Sequence, residues 1–290
     1  MEIIQENINL NNLDKSQWES HRFEQIAKSI SERVEPTQTD LDIYVGLEHL
    51  DAEDIHIRRF GKREDVSGTK LRCYPGDVIF GRRRAYQRKA AVVNFDGFCS
   101  AHSLVLRPNP KVIDPQLFPF FLHSDQFMHR AVDISVGSLS PTINWGTLKK
   151  EKFLLPPKDQ QARLASLLWA LDEVMERERE VLEGLEKAAS SYFFNVITKG
   201  ENFNEKSIKY KSIIYPSSWQ VVHLDSLVEK ISNGISETQN NNKKGLKVTR
   251  IETISNGTIE INKVGFIETK MDYSKYKLQV GDILFSHINS

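Results

Sequence analysis

A short segment of the chain concentrates the residue types that bind phosphates and base edges. It runs from Gly81 to Lys89 and contains four arginines, a lysine, a tyrosine and a glutamine. An arginine guanidinium can donate two parallel hydrogen bonds to a phosphate or a guanine edge, and Gln and Tyr bond base edges or backbone oxygens. This chemistry suits nucleic acid, although a solvated charged hairpin would carry the same run. The candidate residues are Arg82, Arg83, Arg84, Tyr86, Gln87, Arg88 and Lys89.

A second segment, from Gly137 to Asn144, offers small hydroxyl and amide donors. Such donors suit phosphate oxygens, and ordinary turn chemistry is the alternative explanation. We expect this segment to act together with the basic one. Its candidate residues are Ser138, Ser140, Thr142 and Asn144.

The charge of the chain is balanced overall and uneven locally. The formal net charge is zero and the sequence pI is about 7.1, which argues against a protein that coats nucleic acid through global charge. From Arg58 to Lys89, however, eleven Lys or Arg face three acids, and from Asp159 to Gly200 eight acids face five bases. The two stretches are therefore expected to meet different partners.

Three segments of the chain recur in the same order about 200 residues later. Ordered recurrence at one spacing indicates a duplication, and chance repetition of short strand and turn patterns is the alternative. The second copy would continue past Ser290, so the chain is expected to stop inside it. The pairs predict a short helix (Trp18–Ile30 and Trp219–Ile231), a strand (Tyr44–Leu50 and Val248–Ile254) and a turn feeding a buried strand (Pro75–Phe80 and Val280–Phe285).

A long helix is predicted between the two copies. Pro156 and Pro157 end the preceding element, and Asp159 is suited to cap the helix N-terminus. An apolar seam then repeats in steps of four and three, which predicts a coiled-coil helix on the order of 60 Å long. The seam requires a partner helix, so we expect self-association or a partner chain; the alternative is a helix that lies across its own domain. The seam residues are Leu164, Leu168, Leu171, Met175, Leu182, Leu185 and Tyr192.

The first copy has the pattern of a mixed or antiparallel sheet with packed helices. A helix over Leu117–Ile134 is rich in phenylalanine, and we interpret Phe118, Phe120, Phe121 and Phe127 as core. The chain is therefore predicted to be an α+β protein with domains 1–155 and 201–290 joined by a helix over 156–200. The predicted strands are Ile43–Leu50, Ile55–Phe60, Val78–Arg82, Lys89–Phe95 and Cys99–Arg107.

Motifs for catalysis are missing from the sequence. Asn109-Pro110-Lys111 does not match the Asn/Asp-Pro-Pro-aromatic motif of an adenine methyltransferase, and Gly61–Gly68 has the wrong spacing for a phosphate loop. Asp77 and Asp282 follow a glycine in a turn, where Asp is favoured for backbone reasons rather than as part of a metal nuclease. The scattered histidines His49, His102, His123 and His129 do not form a metal site.

Cellular location and thiol chemistry are simple to predict. Cys73 and Cys99 lack CxxC spacing and are expected to be buried free thiols. Met1-Glu2 opens no secretory signal and the apolar stretch Leu164–Leu171 is too short to cross a bilayer, so a cytoplasmic protein is expected.

Taken together, these segments resemble the specificity subunit of type I restriction-modification enzymes. The resemblance is carried by Tyr44–Leu50, Gly76–Arg82, Ser138–Asn144 and the passage from Leu155 to Gln161 that leads into the long helix. It implies two target recognition domains separated by two long helices, each domain reading one half of a split DNA site. This chain would be such a subunit cut off inside its second recognition domain.

The resemblance also implies which subunits bind DNA and which catalyse reactions. The chain would bind double-stranded DNA without catalysing a reaction, two methylation subunits would modify adenine, and motor-nuclease subunits would cleave. S-adenosylmethionine, ATP and Mg would belong to those partners, and this chain would hold no cofactor or metal. Two further possibilities stay open: a half-subunit that dimerises through the helix, and a coiled-coil adaptor that does not bind DNA.

Overall fold

The chain, in a computed structural model, is described over residues 14–201, 203–240, 243–255, 257–268 and 271–286. It divides into two compact units, Met1–Ser191 and Tyr192–Ser290. The opening Met1-Glu2 and the final Ser290 lie outside the described residues. The predicted domain limits of 1–155, 156–200 and 201–290 stay a prediction.

The first unit combines short strands with five helices. Its helices are α1 Phe23–Ile26, α2 Phe118–His123, α3 Asp125–Asp133, α4 Trp145–Leu148 and α5 Lys158–Lys199, the last running on into the second unit. Its strands are β1 Glu19–Arg22, β2 Ala27–Ile30, β3 Arg33–Val34, β4 Ile43–Val45, β5 Gly61–Lys62, β6 Lys70–Cys73, β7 Val78–Gly81, β8 Ala90–Val92, β9 Gly97–Cys99, β10 Ser103–Pro108 and β11 Lys152–Leu155.

These strands form three sheets. Strands β2-β10-β7-β8 make an antiparallel sheet, and β3-β6-β9-β4-β5 make a mixed sheet in which only β4 and β9 run parallel. A third, two-stranded sheet pairs β1 with β11. The predicted α+β class with a mixed sheet is confirmed.

The core of the first unit has two main parts. In one, the ring of Phe127 lies 5.4 Å from the ring centroids of both Phe23 and Phe80, so the helices pack on the antiparallel sheet through aromatic contacts. Phe118 and Phe121 belong to the same cluster, whereas Phe120 contacts Trp169 of α5. The core interpretation is confirmed for Phe118, Phe121 and Phe127, whereas Phe120 is only half-buried. In the other part, Cys73 and Cys99 are buried free thiols, as predicted.

Three local predictions for this unit are wrong because side-chain caps and strand pairing override periodicity. The Leu117–Ile134 helix breaks at Ser124, whose backbone is extended and whose hydroxyl accepts a 3.3 Å hydrogen bond from the Phe127 amide. Trp18–Ile30 is largely strand, since β1 pairs with β11 and β2 with β10. The segment Ile55–Phe60 is not a strand and makes side-chain contacts to α5 instead.

The long helix is confirmed over 42 residues. It begins at Lys158, one residue before the predicted cap, so Asp159 lies in the first turn and pairs with Arg163. Its start is anchored by buried Gln161, which donates to the carbonyls of Val112 and Pro156 and accepts from the Asp114 amide at 2.6 Å. A buried amide with three satisfied hydrogen bonds fixes where the helix leaves the sheet domain.

A set of ion pairs, here called the helix clamp, holds α5 against the segment between β4 and β5. The Arg58 guanidinium grips both carboxylate oxygens of Glu176 at 2.6 and 2.7 Å and also bonds Asp54 at 2.8 Å. His56 lies 2.9 Å from the Asp172 carboxylate. The clamp consists of Asp54, His56 and Arg58 facing Asp172, Glu176 and Arg179.

The clamp predicts an acid-sensitive contribution to stability. The hydrogen bond from Arg58 holds the pKa of Glu176 below its usual 4.5, so this contribution is full above pH 4.5 and is lost as pH falls through the lowered folded-state pKa. Arg58→Gln is therefore expected to destabilise the first unit by about 1–2 kcal/mol near neutral pH. The difference between wild type and variant in urea denaturation should shrink as pH falls below 4.5. A difference that stays constant with pH would contradict this assignment.

In the described residues of the second unit, the strands form three two-stranded sheets. Two of its turns repeat hydrogen bonds that are also present in the first unit. Leu47–His49 and Ile251–Thr253 both form 3-10 turns closed by a side chain that accepts from the backbone amide three residues earlier, in Gly46 and Arg250. Its strands are β12 Ser207–Tyr210, β13 Ile213–Pro216, β14 Leu246–Val248, β15 Ile254–Ser255, β16 Thr258–Ile259 and β17 Gly265–Ile267.

The Gly-Asp turn also recurs. Asp77 and Asp282 each accept from the amide three residues earlier, and Gly76 and Gly281 have φ of 88° and 101°, which favours glycine. A second, similar domain therefore begins in this unit.

Three predictions for the second unit are wrong. The predicted strand over Val248–Ile254 is interrupted by the 3-10 turn, and Trp219–Ile231 contains a 3-10 turn in place of the predicted helix. Ile283 and Phe285 are exposed rather than part of a buried strand.

Candidate nucleic-acid interface

Two loops that are far apart in sequence lie side by side in the first unit. The basic loop, residues 82–89, leaves the end of β7, and the hairpin loop, residues 136–144, follows α3. The Ile143 amide donates to the Arg82 carbonyl at 2.9 Å, and the Arg84 amide donates to the Pro141 carbonyl at 2.8 Å. Arg83 adds a 3.3 Å bond from its Nε to the Ser140 hydroxyl. The two segments thus form one surface, here called the composite loop surface.

The hairpin loop is held rigidly by its own backbone. Val136 and Thr142 exchange two hydrogen bonds, of 3.1 and 2.9 Å, and Thr142 also forms an antiparallel bridge with Arg83. Gly137 has a φ of 120°, which an L side chain rarely adopts and which allows the tight reversal. The loop is therefore a small β-ribbon fixed to the basic loop.

The basic loop contains a strained 3-10 turn over Ala85–Gln87. Its flanking residues Arg84 and Arg88 have φ of 54° and 52°, a left-handed conformation that costs a non-glycine residue about 1 kcal/mol. Buried Ala85 anchors the turn, so the flanking side chains are directed by a fixed backbone. Strain of this kind is characteristic of functional loops.

The structure divides the basic stretch Arg58–Lys89 into neutralised and free cations. Arg58, Arg59, Arg63, Arg72 and Arg88 all form ion pairs with carboxylates. Within the described residues, no carboxylate lies within ion-pair distance of the three consecutive arginines of the basic loop. Among the arginines of this stretch, the charges available to a ligand are therefore those of Arg82, Arg83 and Arg84.

The other predicted residues of the basic loop divide between solvent and the protein interior. Tyr86 is exposed and Gln87 is half-buried. Arg88 pairs with Glu53 and Asp125 and donates to the His123 carbonyl, and Lys89 donates to the Leu47 carbonyl at 2.7 Å. The side chains of Arg88 and Lys89 thus hold the basic loop against the rest of the first unit.

The predicted residues of the hairpin loop also differ in exposure. Ser138 is exposed at the tip, and Asn144 is exposed just before α4. Ser140 and Thr142 are half-buried: the first receives the bond from Arg83, and the second donates to the carbonyl of Ser140 at 3.1 Å. Ser138 and Asn144 therefore have side chains available to a ligand, whereas the other two mainly shape the loop.

One titratable neighbour of this surface was not predicted from sequence. His102 lies between β9 and β10, and its pKa is lowered first by partial burial and then by the positive charges of Arg83, Arg82 and Lys70. These neighbours are distant along the chain, so sequence spacing gives no signal for them. The histidine therefore reports on the electrostatic potential of the composite loop surface.

Binding of DNA should raise the pKa of His102. Phosphates offset the arginine charges that lower the pKa, so the bound form takes up a proton and affinity should rise as pH falls through the range between the two pKa values. NMR titration of the imidazole, with and without duplex DNA, measures the shift, and His129 on α3 serves as the internal control. An unchanged His102 titration would show that phosphates bind elsewhere.

The described part of the chain contains neither a membrane-spanning helix nor a cluster of metal-ligating side chains. No helix in this part of the chain is long and apolar enough to cross a membrane. The same residues contain no group of three or more His, Cys, Asp or Glu side chains placed to hold a metal ion.

Comparison with known proteins gives consistent results. Residues 62–187 match the type I restriction modification DNA specificity domain family. A Methanocaldococcus jannaschii protein named as the type I restriction enzyme MjaX specificity subunit is 46% identical over 94 residues, which is 32% of this chain and 21% of that protein. The type I restriction enzyme EcoKI specificity subunit of Escherichia coli K12 is 23% identical over 217 residues, covering 71% of this chain and 44% of that protein.

Among solved structures, the HsdS subunit from Thermoanaerobacter tengcongensis is 24% identical, with a TM-score of 0.48 over 62% of this chain and 47% of that one. The chain spans less than half the length of the curated relatives named above. The matched residues 62–187 include both loops of the composite loop surface and most of α5. Over residues 62–187, this chain is similar to the DNA specificity domain of type I restriction-modification systems.

Proposed function

We propose that this chain is the sequence-specific DNA recognition subunit of a type I restriction-modification complex. The observation that carries the proposal is the composite loop surface, where three arginines adjoin a β-ribbon rich in hydroxyl groups. None of the three has a carboxylate partner among the residues that the structure describes. The match of residues 62–187 to the type I restriction modification DNA specificity domain family supports DNA recognition as the general role. We assign that role to the composite loop surface.

The shape and charge of the surface suit double-stranded DNA. The major groove of B-DNA admits a two-stranded ribbon, and arginine forks bind either phosphates or guanine edges. Exposed Tyr86 and Ser138 add donors beside the arginines. We assign phosphate positioning to Arg84, which is exposed, and base or phosphate contacts to Arg82 and Arg83.

The chemistry would reside in partner subunits. We propose that the chain itself is non-catalytic and directs two methylation subunits to adenine and motor-nuclease subunits to cleavage. S-adenosylmethionine, ATP and Mg would then be bound by those partners and not by this chain. The proposal agrees with the lack of methyltransferase and phosphate-loop motifs in the sequence.

The outer part of α5 supports association with another helix. Leu164 is buried and Leu168 half-buried against the first unit, but the later seam residues are 46–64% exposed: Leu171, Met175, Leu182, Leu185 and Tyr192. An apolar row of this length is stabilised by a partner. We propose that a second helix covers it, supplied by another copy of the chain or by a partner subunit. A chain that stays monomeric both alone and in the complex would contradict the homodimer.

DNA binding is tested most directly by fluorescence anisotropy with a labelled duplex over a salt series. We expect log K to fall linearly with log salt, with a slope of about −0.9 for each neutralised phosphate. Binding without salt dependence, or no binding at low salt, would favour the alternative of a coiled-coil adaptor. The measurement requires no knowledge of the recognised sequence.

Direction of methylation is tested by co-expression with a methylation subunit of a type I restriction-modification enzyme. Single-molecule sequencing of the host genome then shows whether adenines in one sequence motif become modified. A split palindromic motif would indicate that two chains pair and that each reads one half-site. Absence of new methylation, despite salt-dependent DNA binding, would contradict the proposed role in the complex.

A further inference from the structure

The apex of the hairpin loop carries an apolar side chain rather than a polar one. Leu139 is 91% exposed, and Val136 at the base of the same loop is 72% exposed. A single exposed leucine is common on protein surfaces and by itself indicates nothing. The surroundings of Leu139 make it informative.

Leu139 is held by a rigid support. The two hydrogen bonds between Val136 and Thr142 close the loop, and the bridge from Thr142 to Arg83 fixes it to the basic loop. A side chain presented on a fixed ribbon loses little conformational entropy when it makes a contact. The loop is therefore preorganised to bring Leu139 against a ligand.

The charge around Leu139 identifies the class of ligand. The Arg83 guanidinium donates to the hydroxyl of Ser140, the residue next to Leu139, and the backbone amide of exposed Arg84 donates to the Pro141 carbonyl. These arginines have no carboxylate partner within the described part of the chain, so the apolar apex is flanked by positive charge. A polyanion with apolar groups between its phosphates fits this combination, and double-stranded DNA is such a ligand.

We propose that Leu139 is a specificity-determining residue that packs on the C5-methyl group of a thymine in the major groove. The groove admits a β-ribbon, and the thymine methyl is the apolar group that bases present there. The proposal rests on the proposed DNA-recognition function and adds a residue and a base group to it. It assigns to Leu139 a contact that carries sequence information, in contrast to the neighbouring phosphate contacts.

The test is selection of binding sites from a random duplex library by the full chain and by Leu139→Ala. Because Leu139 is almost fully exposed, the substitution should leave folding unchanged. We expect the variant to lose preference for thymine at one position, with affinity for the wild-type site reduced about tenfold. The salt dependence of binding should be unchanged, since no charge is removed. Leu154→Ala, at a partly exposed leucine of β11, is the matched control and should behave as wild type.

A second measurement removes only the methyl group from DNA. Deoxyuridine in place of the thymine should weaken binding of wild type but have no further effect on Leu139→Ala, because the contact is already lost. Equal effects of deoxyuridine on both proteins would overturn the proposal, as would an unchanged selected motif for the variant. If wild type selects no motif at all, the proposed function fails as well, so the two failures are distinguishable.

Discussion

Replacement of Arg82, Arg83 and Arg84 together by glutamine is expected to abolish most DNA binding by this chain. Each arginine that neutralises a phosphate contributes about one unit to the slope of log K against log salt. Loss of three contacts should therefore reduce affinity by about 100-fold or more near 0.1 M salt and reduce the slope by about three. The expected effect is large because the other arginines of the basic stretch are held in ion pairs.

The control for this variant removes three positive charges elsewhere. Arg163, Arg177 and Lys187 lie on α5 and pair with carboxylates four residues earlier. Their replacement by glutamine changes the net charge equally and should alter affinity by less than about threefold at the same salt. Similar losses in both triple variants would mean that binding follows global charge, and the composite loop surface would not be the DNA-binding site.

Asp77→Ala is expected to cause the largest loss of stability among substitutions in the first unit outside its apolar core. Asp77 is 1% exposed and accepts two hydrogen bonds from Arg107, at 2.7 and 3.0 Å, and one from the Tyr74 amide at 3.0 Å. The pKa of Arg107 is raised, chiefly by its hydrogen bond to Asp77. Loss of the carboxylate leaves these donors without acceptors and should lower the free energy of unfolding by about 2–3 kcal/mol. Urea denaturation monitored by amide exchange in β7 and β10 measures this change.

The repeat provides a matched control for Asp77. Asp282 makes the same turn contact, accepting from the Gln279 amide at 2.8 Å, but it is exposed. No arginine pairs with it in the described ranges. Asp282→Ala should therefore lower stability by less than about 1 kcal/mol. Equal losses from both substitutions would show that the turn bond, rather than the ion pair between Asp77 and Arg107, supplies the stability.

The two aspartates also show why a sequence repeat predicts local geometry better than packing. The Gly-Asp pattern specifies a turn in both copies, because glycine adopts the positive φ and the carboxylate accepts the nearby amide. The strand after the turn requires partners to become buried. In the first copy β7 pairs with β8 and β10, whereas Ile283 and Phe285 in the second copy lie exposed.

Errors in the predicted elements have the same physical origin. Trp18–Ile30 has helical spacing, yet pairing with β11 and β10 makes most of it strand. The predicted strand from Tyr44 ends in a 3-10 turn closed by His49, since a side-chain acceptor three residues on competes with strand pairing. Periodicity records which face of an element is apolar, but hydrogen-bond partners decide its backbone conformation.

Features that depend on local or regularly spaced residues could be predicted from the amino-acid sequence alone. These are the duplication, the long helix with its apolar seam, the Gly-Asp turns and the two segments whose side chains suit phosphates. Each is encoded in residue spacing, which is unaffected by how distant parts of the chain meet. The resemblance to specificity subunits followed from the order of these segments.

Which of those residues are available to bind a ligand depends on the tertiary structure. Arg58 is bound to Glu176 on α5 and Arg88 to Asp125, whereas Arg82, Arg83 and Arg84 lie beside a hairpin more than 50 residues away in sequence. Ion pairs and backbone bridges between distant segments leave no regular spacing in the sequence, so a charged run alone cannot distinguish free from neutralised cations. In the folded chain, carboxylates from distant segments pair with some arginines of the basic stretch. Leu139 is exposed at the apex of the composite loop surface.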